Sequence, residues 1–417
     1  MPHAADTFCA DASAVRQHGR GVVTNARLSV VSQPIRMGVS SIPKVKPHRG
    51  ASLAASGPLV SMGGAVTTTR TSAVGERATS GRVDGAGVPG SWHGRGGGAV
   101  KAVVYRRYGR PDVLRVEDVP TPSPTAGQVV VKVAATSINL SDWEGLRGSP
   151  FYARLGGLRA PRRPTLGSDI AGWVEAVGTG VTRFRPGDEV YGDNLRLQGG
   201  FAEYAVAPES TLALKPAELT FAQASTIPQA GAIALQGTVG AATGRRVLIN
   251  GGGGGSGSFA IQLAKRLGAH VTGVDNEGKL EFMRSLGADE VIDYRRDDFT
   301  RDHETYDLIL DLVAHRSVFA YRRALAAGGR YRYVGGPVRA LLRVLTIGAA
   351  AGLVTGRRLG VLAVREGPPH FEPLTEMCVA GDVSIHIDRT VGLAQVPEAL
   401  AYVGEQHALG KVVVTPR

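Results

Sequence analysis

The sequence predicts an α/β protein, a doubly wound parallel sheet joined to a β-rich domain shaped as a partly open barrel. Three observations carry that expectation. From 227 to 334 strand-like and helix-like segments alternate, the rhythm of a parallel sheet with crossover helices. From 100 to 225 the apolar segments are short and punctuated by Gly and Pro, which reads as strands and turns. Between the two patterns, Arg246–Lys265 runs from an apolar strand through five glycines into an amphipathic helix.

Taken in order, the β-rich part offers strands at Ala102–Tyr105, Gln128–Ala135, Ile170–Val177, Glu189–Tyr191 and Phe201–Val206. The alternating part offers strands at Val247–Asn250, His270–Asp275, Val291–Tyr294, Asp307–Leu312 and Arg330–Val334, with helices such as Ser256–Leu267 and Lys279–Leu286 between them. The tail returns to a helix, Pro397–His407, and a last strand, Lys411–Thr415. The expected division is an extension over 1–99, the β-rich domain over 100–226, the parallel-sheet domain over 227–365 and a return over 366–417. Residues 336–369 mix Arg339, Arg343, Arg357, Arg358 and Arg365 with Leu, Val and Ala. A helix packed on the domain cleft fits them best, with a substrate lid or a membrane-surface helix as the alternatives.

The glycine run has a spacing with physical content. Gly252, Gly254 and Gly257 fit G-x-G-x-x-G, and Asp275 follows Gly257 by 18 positions. The first glycine is expected to permit a tight turn, the second to let backbone approach a pyrophosphate, the third to let helix pack on strand. The helix N-terminus, from Gly255 on, offers unpaired N–H groups to phosphate, and Asp275 can take two ribose hydroxyls. A bare run of glycines could be a linker; the flanking strand, helix and distal acid make it a dinucleotide site in a Rossmann domain.

Composition narrows the rest. At 417 residues with 43% hydrophobic and 20% charged, the chain suits two domains of a soluble protein. Cys9 and Cys378 are its only cysteines, so a disulfide framework is excluded and a cytoplasmic setting is expected. No apolar run approaches the roughly 18 residues of a membrane helix. Of the +12 net charge, residues 1–99 carry 11 Lys and Arg against 4 Asp and Glu, or +7, and the remainder 37 against 32, or +5. That first segment is rich in Gly, Ser, Ala and Thr without a hydrophobic period, the composition of a disordered extension. Three readings of it stay open. It is a targeting peptide, a basic arm for nucleic acid, or not native, with Val100-Lys-Ala as the true start. Scattered charges with only Phe8 and Trp92 as aromatics argue against nucleic acid as a partner.

From Val100 to Arg417 the chain resembles the medium-chain dehydrogenase/reductase superfamily, in its zinc-free quinone oxidoreductase-like branch. The resemblance rests on Pro164–Gly178, Phe184–Tyr191, Gly199–Tyr204, Leu286–Tyr294 and Gly410-Lys-Val-Val-Val414. It implies a GroES-like catalytic domain beside the Rossmann domain, NADH or NADPH as cofactor, and a homodimer. Zinc enzymes of this superfamily place cysteine, histidine and glutamate where this chain has Asn139, Ser168 and Asp169. A catalytic zinc needs about three good protein ligands, so no zinc is expected. Asp142 and Asp169 are expected to satisfy donors around the cleft, with catalytic carboxylates as the alternative.

The resemblance further implies reduction of quinones, α,β-unsaturated carbonyls or reactive aldehydes, small substrates electrophilic enough to need no metal. Asn139 is the expected neutral donor to nicotinamide or substrate oxygen, with a buried amide bracing a turn as the alternative. Tyr152 matches the substrate mouth of relatives, and an exposed loop tyrosine is its alternative. Lys279 and Tyr294 match positions that contact the phosphate end in NADPH-dependent relatives, while Asp275 should repel a 2′-phosphate and favour NADH. Gly335, after the strand ending at Val334, is expected under the nicotinamide. Two other functions remain: a metal-free alcohol or aldehyde dehydrogenase, and a nucleotide-binding module without turnover that uses its basic arm on RNA.

Overall fold

The computed structural model describes residues 98–154, 157–301, 304–348 and 356–416. The expected extension thus lies outside the described residues except for Gly98 and Ala99, and Ala99 already opens a strand, Ala99–Val104.

The nucleotide half is a six-stranded, wholly parallel sheet. Its order is Glu290–Asp293, His270–Asp275, Arg246–Asn250, Tyr306–Asp311, Leu325–Tyr333, Arg358–Val361. Val247, Leu248 and Ile249 are each fully buried, as a central parallel strand covered on both faces requires. Successive crossovers run outward from Arg246–Asn250 one way, then return to start again at Tyr306–Asp311. The crevice at the carboxyl ends of these two neighbouring strands is the switch point where such sheets take ligands. The helix after the glycine run, Gly255–Arg266, buries Phe259, Ala260, Ile261, Leu263 and Ala264 against the sheet. Lys265 and Arg266 in its last turn oppose the negative end of its dipole.

The stretch 336–369 departs from expectation. It begins with a helix, Val338–Arg343, and the further helical turn Val344–Gly348. It then supplies the sixth parallel strand, Arg358–Val361, rather than only a helix over the cleft.

The catalytic half is built on a seven-stranded sheet ordered Ile387–Gly392, Lys411–Thr415, Gln128–Ile138, Asp169–Val177, Glu189–Asp193, Leu212–Leu214, with Tyr204–Pro208 paired to the first half of Gln128–Ile138. Its order leaves Ile387–Gly392 and Leu212–Leu214 as edges, so it stays open. Ala99–Val104 and Arg115–Pro120 form a separate antiparallel pair. The pairing that builds the site is Lys411–Thr415 against Gln128–Ile138, with Val412 opposite Ile138. This register sets Lys411 beside Asn139, although 272 positions separate them in sequence.

Candidate active site

A cavity of about 350 Å³ opens between the two halves. The catalytic half contributes Asn139, Ser141, Glu144, Asp193 and Lys411, and the nucleotide half Gln229, Gly254, Gly255, Asp275, Lys279, Val334 and Gly335.

At its catalytic end, polar groups are buried and tightly partnered. Lys411 Nζ lies 2.5 Å from Asn139 Oδ1 and 3.5 Å from Asp169 Oδ2. An ammonium only donates, so Asn139 must present its oxygen there. Its Nδ2 then donates to Ser168 Oγ at 3.2 Å and Asp169 Oδ2 at 2.9 Å. Asp169 also accepts from Ser137 Oγ at 3.1 Å and the Gln229 N–H at 3.0 Å. Asp142 accepts the N–H groups of Asn139 at 2.8 Å and Gly167 at 3.1 Å. Asn139 precedes the helix Leu140–Arg147 and Asp142 lies in its first turn, so the carboxyl also satisfies a helix start. Burial pushes Asp142 up to about 7, against the pull of those two N–H groups. Burial also lowers the Lys411 amine, which Asp169 partly offsets. Asp193 is raised by burial and by repulsion from Asp169.

At its nucleotide end, the backbone enters a left-handed conformation at Gly251, φ +87°, one residue before the glycine that sequence spacing assigned to the turn. A Cβ on Gly257 would collide with the Gly251 carbonyl oxygen, so the helix can approach the turn only without a side chain. Gly254 precedes the helix in an extended conformation, and its ideal Cβ direction meets only one atom, at 3.5 Å. Backbone can therefore approach a ligand there. Asp275 accepts the Gly253 N–H at 3.1 Å and the Asn276 N–H at 2.9 Å, and pairs with Lys279 Nζ at 3.7 Å. Both side chains are about 5% exposed or less. Burial raises the Asp275 carboxyl and lowers the Lys279 amine, and each charge opposes the shift of the other. The carboxylate that would repel a 2′-phosphate is thus accompanied by a cation.

These two ends meet through backbone. Gly410 N–H donates to the Gly253 carbonyl at 3.0 Å, joining the last strand to the glycine turn. A Cβ on Gly253 would sit 2.6 Å from Lys279 Cδ, and one on Gly255 2.6 Å from Lys411 Cδ. At those two positions a side chain would meet a lysine stem.

The residues singled out from sequence fall into three groups. Asn139, Gly254, Gly255, Asp275, Lys279 and Gly335 line the cavity. Gly252 and Gly257 shape the turn behind it; the Cβ direction of Gly252 meets Met283 Sδ at 2.7 Å. Tyr152 and Tyr294 are not among the lining residues. Tyr152 donates its hydroxyl to Glu144 Oε2 at 3.2 Å, and Glu144 does line the cavity. Tyr294 is 36% exposed, with the Arg295 guanidinium 5.7 Å from its ring centroid. Sequence reasoning missed Lys411, Glu144, Gln229 and Asp193. Lys411 had a visible signal, a lysine opening an apolar strand. Glu144 had none, since a helical glutamate usually faces solvent.

Among the described residues no three or more His, Cys, Asp and Glu are grouped as a metal site, and no helix is long and apolar enough to cross a membrane. The residues fit a dinucleotide: a glycine cradle at 254–257, an acid and a lysine at the second strand's end, and an apolar shelf of Leu312, Val313 and Val334.

Residues 125–217 match the alcohol dehydrogenase GroES-like domain, and residues 286–414 the zinc-binding dehydrogenase family. Residues 217–314 match the C-terminal domain of alanine dehydrogenase/PNT. The chain is 34% identical to 2-methylene-furan-3-one reductase of Solanum lycopersicum, over 76% of this chain and 79% of that protein. It is 31% identical to the chloroplast envelope quinone oxidoreductase homolog of Arabidopsis thaliana, over 77% and 99%. The solved quinone oxidoreductase of Coxiella burnetii superposes with a TM-score of 0.69 at 30% identity, covering 76% of this chain and all of that one. With its parallel nucleotide sheet, GroES-like half and cavity between them, the chain belongs to the medium-chain dehydrogenase/reductase superfamily, in its quinone oxidoreductase-like branch.

Proposed function

We propose that the chain is a zinc-independent NAD(P)H reductase of quinones or α,β-unsaturated carbonyls. The observation that carries this reading is Lys411. Its ammonium lies among Asn139, Ser168 and Asp169, the positions that hold metal ligands in zinc relatives, and bonds Asn139 and Asp169. A divalent cation there would meet a like charge and two poor donors. Substrates that need no Lewis acid suit such a site. Two relatives, a quinone oxidoreductase homolog and a 2-methylene-furan-3-one reductase, support the same class.

When bound, the dinucleotide supplies hydride from its nicotinamide. The protein's own residues do the rest. The N-terminus of Gly255–Arg266 receives the phosphates. Asp275 and Lys279 hold the adenosine ribose, and the Asp275–Lys279 pair is compatible with either NADH or NADPH. Leu312, Val313 and Val334 exclude water, which strengthens the fields of the polar groups opposite. Lys411 fixes the Asn139 amide and biases the local potential toward the developing negative charge on a substrate oxygen.

The test is cofactor oxidation at 340 nm by the full chain, with NADH and NADPH in turn and a panel of quinones, enones and aldehydes, beside reduction of NAD+ and NADP+ by alcohols. Turnover of quinones or enones that survives a chelator is the expected result. Activity abolished by chelator and restored by zinc would overturn the metal-free reading; alcohol oxidation exceeding quinone reduction would overturn the substrate class.

A further inference from the structure

We propose that the Glu144 carboxyl is the acid that protonates the substrate in this cavity, held in place by the Tyr152 hydroxyl. The inference rests on the reductase reading and adds the proton donor that reading lacks. Hydride addition to the β-carbon of a conjugated carbonyl breaks the C=C π bond and leaves an enolate. The Glu144 O–H bond then breaks, its proton forms the new C–H bond at the α-carbon, and the carboxylate recovers a proton from solvent. A quinone takes the same proton on oxygen. Asn139 and Asp142 are committed elsewhere: both Asn139 N–H directions, and both oxygens of Asp142, have protein partners.

Among the acids on the cavity wall, Glu144 is the one whose donor is a side-chain hydroxyl rather than a cation or a backbone N–H. Asp275 is paired with Lys279 and accepts backbone N–H groups. Asp193 accepts the Leu195 N–H at 2.9 Å, and Glu366 lies 3.8 Å from Arg196. Glu144 has no cationic partner among the described residues; its hydrogen-bond donor is Tyr152. Its charge in turn raises the phenol of Tyr333, at the end of Leu325–Tyr333, whose hydroxyl donates to the Gly336 carbonyl at 2.8 Å. The charged residues sharing the cavity are Asp193, Asp275, Lys279, Glu366 and Lys411. Tyr152 donates to Oε2, which leaves Oε1 to carry the proton. Burial pushes the Glu144 carboxyl up to about 7, opposed by the Tyr152 hydrogen bond. A raised acid is protonated below that pH and spent above it, so donation is available at neutral and mildly acidic pH and fades as pH rises. Glu144 sits on the helix Leu140–Arg147 that also anchors Asn139 and Asp142, so its carboxyl is held on rigid backbone.

Two readouts test this. The first needs neither cofactor nor substrate: infrared titration of the protein should show, beside the raised Asp142 carboxyl, a second protonated carboxyl that persists to near-neutral pH and is missing in Glu144→Gln. A folded Glu144→Gln that loses no such band overturns the proposal, and so does a wild type in which no carboxyl stays protonated near neutral pH. The second is the pH profile of kcat with an enone the wild type reduces. The wild type should decline above about pH 7; Glu144→Gln should be slower by on the order of a hundredfold with that decline gone, and Glu144→Asp intermediate. A Glu144→Gln profile that keeps the wild-type rate and shape overturns the acid role and leaves the reductase reading intact. A wild type that oxidises neither cofactor with any acceptor overturns both.

Discussion

Two buried lysine–aspartate pairs serve the same cavity and are built in opposite ways. Asp275 and Lys279 are four residues apart, at the end of one strand and the turn that follows. Asp169 and Lys411 are 242 residues apart and meet only because two strands flank Gln128–Ile138. The first pair needs one local turn. The second needs the whole catalytic sheet in register. A local pair can be tuned for ligand choice without disturbing the fold, whereas a long-range pair is part of what holds the fold.

The sharpest way to break this contrast is Lys411→Met. It strands Asp169, fully buried, without its cation, and losing one partner of a buried pair costs about 3–5 kcal/mol. Urea unfolding should show a loss at the upper end of single substitutions, with part recovered in Lys411→Met/Asp169→Asn. A loss below about 1 kcal/mol would mean that the hydrogen bonds from Ser137, Asn139 and Gln229 suffice for Asp169. Reductase activity should fall with the same substitution even at temperatures where the variant remains folded.

Lys279→Met should act mainly on the ligand. The unpaired Asp275 would then repel a 2′-phosphate, and NADPH affinity should drop about tenfold, or about 1.4 kcal/mol, with NADH affected less. Fluorescence titration with both dinucleotides checks this; equal losses for the two would show that Lys279 does not distinguish them. The smallest effect expected is that of salt. Both pairs are shielded from solvent, so raising ionic strength from 0.05 to 0.5 M should shift stability by only a few tenths of a kcal/mol, roughly the scale of exposed pairs such as Arg284–Glu281. A large salt effect would mean that water reaches one of the pairs.

The same contrast explains what could be read from sequence. His270–Asp275 and Lys411–Thr415 appear in the structure at the expected residues, because buried strands show in their β-branched residues, Val271, Thr272 and Val274 in the one and Val412, Val413 and Val414 in the other. Arg115–Pro120 was not anticipated, since none of its residues is fully buried and an edge pair leaves no periodic signal. Arg358–Val361 hid for a related reason: it is a four-residue edge strand in which only Leu359 is buried. In the site, the glycine turn, Asp275 and Lys279 were legible because their chemistry is local in sequence. The Lys411–Asn139 contact was not, because only strand order and register create it. The left-handed residue fell at Gly251 rather than Gly252, a distinction invisible inside a run of identical residues.

The hydrogen bond from Gly410 to Gly253, with Lys411 immediately after it, has a consequence for the order of synthesis. A ribosome exposes the glycine turn, Asn139 and Asp169 well before it makes Lys411. Until that final strand emerges and inserts beside Gln128–Ile138, a nascent chain holds most of its nucleotide cradle but an unneutralised polar floor. The competent site is therefore a late product of folding, and a chain truncated before Gly410 should bind cofactor poorly and reduce nothing.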